Sequence, residues 1–386
     1  VGLIFGLVRD EAALHALGPA WDALEARALP TQAAPSAPLQ PLYASHRYVS
    51  LAWQHLRSPR DELAIVTLHE GEVLRAVWPL ARHRERVMGL PVWVLSPIGI
   101  WEGERPGILC DVHEDDAWAA LWAGLLRHRG LWQGLDLREL DPGHWLLRSV
   151  IDAPGLQVQQ AADHRTPYQV LDGSWRDHVA GRSAPTRDAL QRAAGQWAQR
   201  VPPARVVIVR DAAAILAAFS RYLAIDAAWP QDSGDSGAAP SPYLLGRDAA
   251  RVAFYRALLP RMAACGDAQV WLLEGAETGD RAGVGDDVAA LLRLRGGGVW
   301  LERHATEHPA WRELAPSGYL LLQALEQSWQ GSERESDLLV PPGATGRDAL
   351  AGWYDGERAT QRLRVWNLRS RLALKPLQDH LRGRGR

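Results

Sequence analysis

The sequence predicts an α/β protein, α+β in the pattern of its sheets, made of two tandem modules in which a mixed, mostly antiparallel sheet is flanked by helices. Three observations carry this. At 386 residues the chain exceeds one ordinary domain. Short β-rich runs alternate with segments of helical apolar spacing along most of its length. The order helix, helix, hairpin, further strand, helix occurs once in each half, although residue-level identity between the halves is weak. The expected domains are residues 1–160 and 161–386.

In the first module, residues 1–8 form an apolar run broken by Gly2 and Gly6 and closed by Arg9-Asp10-Glu11. With no basic region before it, the run reads as a first strand rather than a leader or a span. Residues 12–28 place Leu14, Leu17, Trp21 and Leu24 at helical spacing, 30–41 is a proline- and alanine-rich loop, and 43–56 is a second helix. Two β-rich runs around His69-Glu70-Gly71 make a hairpin over 62–82. Strands at 91–97, 107–112 and 134–140 and a helix at 115–128 complete the unit. The second module has a short strand at 168–171, helices at 174–179 and 185–200, a strand at 205–209 and a helix at 212–224. A flexible loop at 231–240 leads to a long helix at 248–265. Strands at 269–274, 288–294 and 299–304 follow, then a helix from Gly318 and a short strand at 337–340.

Composition excludes several classes. With 47% hydrophobic and 23% charged residues the chain is globular. A net charge of -2 gives no global field for a polyanion, so nucleic acid is not the expected partner. Cys110 and Cys265 lie far apart without ligand spacing, which argues against a zinc site or a disulfide framework. The run Cys110-Asp111-Val112-His113-Glu114-Asp115-Asp116 lacks a second histidine at helical spacing and reads as acids opening a helix, so no metal is expected. No apolar window is long enough to span a bilayer without charges, and a cytoplasmic protein is the expectation.

Four segments occur in a telling order: TPYQVLDGSWRDHVAGRSAPTRDALQRA (166–193), AFYRALLPRMAACG (253–266), VWLERHATEHPAWRELAPSGYLLLQALEQ (299–327) and DLLVPPG (337–343). In this the chain resembles the GNAT-superfamily acetyltransferases associated with cellulose and exopolysaccharide biosynthesis, which are related to the Fem-type peptidoglycan aminoacyltransferases. The resemblance covers roughly residues 12–370 and is best in the second half. It implies an enzyme with two GNAT-like domains, the first degenerate and the second binding acetyl-CoA or another acyl-CoA. The implied reaction is acyl transfer to an amine on a small-molecule or saccharide substrate, such as a sugar-linked envelope or exopolysaccharide precursor.

The resemblance also implies a site. After the fourth strand of a GNAT fold a helix start holds the pyrophosphate of acyl-CoA, and here that position is Ala315, Ser317, Gly318, Tyr319 and Leu320. The unpaired N–H groups of a first helical turn suit an anion, although a proline-opened helix with a serine cap explains the same residues. Tyr319 reads as packing. Acyl transfer needs a proton acceptor for the ammonium, and Glu302 and His304 alternate on the preceding strand so as to face one side and converge. Glu274 is a weaker candidate. Asp337 stands at the family's aspartate position, and Tyr354, beside Trp353, is the candidate acid for the departing thiolate. Arg182, Thr186 and Arg187 match a polar segment where a substrate could bind, and a helix cap with solvated arginines explains them equally well.

The chain departs from the family over 343–353, where a Tyr-Lys pair is usual. By spacing the lysine falls near Leu350, and Arg347 is the nearest cation, which puts the role of that lysine in doubt. This leaves open a scaffold that kept the fold and lost the chemistry. A third reading is an aminoacyl-tRNA donor, as Fem-type relatives use. From Arg358 onward nine basic residues stand against Asp379 alone, and such a tail either contacts an acidic partner or is simply solvated.

Overall fold

In the computed structural model, residues 2–32, 41–87, 89–99, 107–150, 154–198, 204–229, 244–275, 287–338 and 352–367 are described. The chain divides into two units, one of Val1–His164 with Ala359–Arg386, the other of Arg165–Arg358. The end of the expected 161–386 domain therefore differs. The last strand, Gly356–Asn367, pairs through Gln361 to Trp366 with Gly134–Leu140 of the first unit. Leu363 and Val365 enter that unit's core, while Arg362 and Arg364 ion-pair with Asp136 and Glu85. The described part of the basic tail is thus committed to internal carboxylates, and its remainder lies outside the described residues.

In the first unit, Ile4–Val8, Ile65–Glu70, Val73–Trp78 and Leu109–Cys110 form an antiparallel sheet in that order. Leu80–Val87 pairs with Leu90–Pro97, which runs parallel to Gly134–Leu140 across only two rungs. The helix Glu114–Arg127 connects back to that strand and buries Trp118, Leu121 and Trp122 against Trp78 and Trp132. Its missing Cβ at Gly124 leaves the space that the Phe5 ring fills. Asp111 accepts from Arg27 at 2.6 Å and Arg75 at 3.0 Å.

The second unit is a sheet whose neighbours run Arg205–Val209, Ala268–Glu274, Asp287–Gly296, Val299–Glu307 and Glu335–Asp337, the last also pairing with Tyr168 to Val170. All these pairs are antiparallel except Val299–Glu307 with Glu335–Asp337. One face carries the helix Pro316–Ser328, whose Leu320, Leu321 and Leu325 pack with Trp197, Trp271 and Leu291. The other face carries Ile215–Ala227 and Ala249–Ala264. Each unit contains a strand, a returning helix and a second strand parallel to the first. No helix among the described residues is long and apolar enough to cross a membrane.

Candidate functional site

The parallel pair in the second unit is short. Val299, Trp300 and Leu301 face Glu335, Ser336 and Asp337, and after Leu301–Asp337 the pairing stops. Leu338 N–H turns instead to the carbonyl of Pro167 at 2.9 Å, while Val299–Glu307 continues beside Asp287–Gly296. Past that rung the described strand carries the residues Glu302 to Glu307.

A β-bulge changes what this strand presents. Its register against Asp287–Gly296 shifts between Leu292 and Arg293, so that Leu292 faces His304 and Arg293 faces Glu302, with Arg303 as the extra residue. Simple alternation places Glu302 and His304 on one side, and the bulge separates them. Glu302 turns toward the Pro316–Ser328 helix and accepts from Arg293 Nε at 2.9 Å and from Ser336 Oγ at 2.7 Å. At 4% exposure it is closed in the core. Glu274 is likewise engaged, pairing with Arg221 at 2.7 Å.

His304 turns to the opposite face. Its Nε2 lies 3.1 Å from the hydroxyl of Tyr255, whose ring meets the imidazole edge-on, and Arg303 Nε donates to the same hydroxyl at 3.3 Å. A hydroxyl that accepts from Arg303 has its proton free to donate to His304 Nε2, which is the arrangement that leaves a neutral imidazole there. Further along the strand, Trp229 Nε1 donates to the carbonyl of Glu307 at 2.7 Å. Here a cavity of about 500 Å³ is lined by Leu223, Asp226, Trp229, Arg247 and Val252, among others. Asp226, 3% exposed, accepts from Gly246 N–H at 3.0 Å. Its Oδ1 makes no hydrogen bond of ordinary geometry among the described residues. Burial pushes its carboxyl pKa up, against the opposing pull of Thr306, the Gly246 and Leu245 amides and Arg251.

At the start of the Pro316–Ser328 helix, Ala315 is the N-cap in a left-handed conformation, φ 44°, and its methyl side chain caps nothing. Ser317 does not cap the helix as expected. Its hydroxyl donates to Glu307 Oε2 at 2.6 Å and its N–H to the same oxygen at 3.3 Å. A Cβ added at Gly318 would meet open space. Tyr319 stacks on Trp197, and burial followed by Glu326 pushes its phenol pKa up. Leu320 is fully buried. The helix start is real and open at Gly318, but the two Ser317 donors expected to meet a pyrophosphate already serve a carboxylate.

The other expected residues gather elsewhere. Asp337, 0% exposed, closes the last parallel rung and lies 3.4 Å from Arg358, which also grips Glu335. Arg182 binds Asp355, the carbonyl of Tyr354 at 3.2 Å and His178 Nδ1 at 3.0 Å. Arg187 donates to the carbonyls of Arg182 at 2.6 Å and Ala180 at 3.1 Å, bracing the turn between Trp175–Gly181 and Ala184–Ala198. Both arginines are held by internal partners rather than solvated. Tyr354 donates to Glu357 at 3.4 Å, and Trp353 is buried beside Trp175. Arg347 and Leu350 lie outside the described residues. Among those described, no group of three or more His, Cys, Asp or Glu side chains is placed to hold a metal.

His178 gives this cluster a pH dependence. Burial and then the Arg182 charge hold its pKa down to about 4, from 6.5. The unfolded chain takes the proton near 6.5 and the folded chain only near 4, so stability falls as pH drops through that window. Calorimetric scans from pH 7 to 4 are expected to show a falling midpoint, and His178→Gln should flatten the fall in the second unit.

Sequence reading missed Tyr255, Arg303, Asp226 and Glu307. Tyr255 lies inside the helical segment 253–266 with no chemical signal of its own, and the others need the bulge and the strand end to be placed. With this geometry in view, residues 186–346 match the family model of the acetyltransferase (GNAT) domain. Among solved structures, FemX covers 93% of this chain and 98% of its own at 11% identity, TM-score 0.56. A conserved protein of unknown function from Bacteroides thetaiotaomicron covers 94% and 100% at 9% identity, TM-score 0.50. A tandem GNAT protein from the clavulanic acid biosynthesis pathway covers 95% and 98% at 13% identity, TM-score 0.46. No curated protein matches the chain. At these identities the first two solved structures speak for the fold alone, while the family match is to an acetyltransferase (GNAT) domain over residues 186–346 and supports a transferase.

Proposed function

We propose that the protein is an N-acyltransferase that moves an acyl group from a thioester, acyl-CoA being the obvious source, to an amine. The observation that carries this reading is the end of strand pairing at Leu301–Asp337. Just past it, the bulge turns His304 to the Tyr255 hydroxyl. A thioester laid beyond that rung would bring its carbonyl oxygen, where negative charge develops during attack, to this strand. The incoming ammonium gives a proton to the Tyr255 hydroxyl as that hydroxyl passes its own to His304 Nε2. The freed amine attacks the thioester carbon, the C–S bond breaks, and the thiolate leaves to take up a proton, for which Tyr255 and His304 form a relay. Tyr255 is a better placed acid than Tyr354, whose hydroxyl is turned to Glu357.

The cavity beside Asp226 and Trp229 is the acceptor's approach, since both residues reach the same strand near its end. A saccharide amine of an envelope or exopolysaccharide precursor is supported only by the sequence resemblance, and so is a cytoplasmic setting where acyl-CoA is abundant. Mass spectrometry of a panel of amines incubated with acetyl-CoA and with acetyl-pantetheine tests the activity. Acylated product above the uncatalysed level is expected with at least one pair. A complete lack of turnover across the panel would return the protein to the role of a scaffold.

A further inference from the structure

The carboxylate of Glu307 lies where the fold's helix start offers positive charge. Glu307 ends the Val299–Glu307 strand and is 8% exposed. Its Oε2 takes both Ser317 donors. The helix's own first turn supplies no negative charge. Its cap is Ala315, Pro316 has no N–H, and its first turn contains no acidic residue. An anion at a helix start answers the partial charge of the unpaired N–H groups, and here the chain supplies that anion from its own strand ten residues earlier. A diphosphate at the same place would lose the Ser317 donors and meet a like charge at close range.

We infer that Glu307 is a specificity-determining residue that keeps the donor's diphosphate away from this helix, so that the protein recognises its donor through the thioester and pantetheine arm. This rests on the thioester reading above. It also disagrees with the pyrophosphate cradle that the sequence resemblance implies for Ser317, and that disagreement comes from the Glu307 contacts alone.

The test titrates acetyl-CoA, acetyl-pantetheine and inorganic pyrophosphate into the full chain and into Glu307→Gln and Glu307→Ala. The glutamine variant keeps an oxygen for Ser317 and removes only the charge. The parent is expected to bind the two thioesters within about threefold of each other and to ignore millimolar pyrophosphate. Both variants should bind acetyl-CoA at least tenfold tighter, gain measurable pyrophosphate affinity, and leave acetyl-pantetheine unchanged. A parent that prefers acetyl-CoA by tenfold or more, with that preference unaltered by Glu307→Gln, overturns the inference. If no form binds either thioester, the thioester reading fails, and the pyrophosphate arm still decides. A gain in the variants supports the exclusion by Glu307, and no gain in either folded variant refutes it.

Discussion

Arg293→Ala is expected to destabilise the second unit by about 3–5 kcal/mol, because it strands a carboxylate in the core. The Arg293 and Glu302 side chains are 0% and 1% exposed. Arg293 Nη2 also donates to Ser328 Oγ at 2.6 Å, which passes a bond to the Ala324 carbonyl at 2.8 Å. Trp300 and Trp271 cover the guanidinium at 4.5 and 5.6 Å. The group ties together three strands and the last turn of the Pro316–Ser328 helix. Removing the cation leaves Glu302 with Ser336 as its partner and no route to water. For a unit of this size the loss is a fall of roughly 6–20 °C in the thermal midpoint. The network is under-satisfied even when intact, since Arg293 Nη1 and Glu302 Oε2 find no partner among the described residues. Replacing both charges together, Arg293→Met with Glu302→Leu, should therefore recover most of the loss. A single Arg293→Ala variant within 1 kcal/mol of the parent would show that the pair opens to solvent.

The same pair shows where sequence reading stops. Strand 299–304 is legible because Val299, Trp300 and Leu301 form an apolar run after a triple-glycine turn, and strand 134–140 is recovered with its observed ends. Local pattern fixes where a chain is extended. It does not fix register, and a one-residue bulge reverses every side chain beyond it. Glu302 was readable as a polar strand residue, but only the bulge at Arg303 sends it to Arg293 and sends His304 to Tyr255. Glu307 and Ser317 meet across a 3-10 turn, Pro309–Leu314, that no periodicity announces. The 15-residue strand Leu156–Val170 was readable only at its end, because residues 157–164 are largely polar without apolar alternation.

His304→Gln is expected to lower kcat by 10²–10⁴-fold, the usual range for removing a positioned proton acceptor. His304 sits on the strand beyond Leu301–Asp337, half-buried, with one ring nitrogen engaged by Tyr255 at 3.1 Å. Glutamine preserves size and polarity but cannot exchange a proton near neutral pH, so the fold should remain within a few degrees of the parent. Tyr255→Phe removes the other member of the relay and is expected to fall in the same range. Both variants should lower rate without unfolding the chain. A base acting in transfer predicts that His304→Gln also abolishes the acid limb of the kcat/KM profile, whereas a merely structural histidine predicts a lower midpoint with the profile unchanged. Glu302→Gln, by contrast, should act on stability more than on rate, because that carboxylate faces Arg293 and Ser336. If His304→Gln keeps more than a third of the parent's activity while Glu302→Gln loses it without unfolding, the proton acceptor lies on the other side of the bulge.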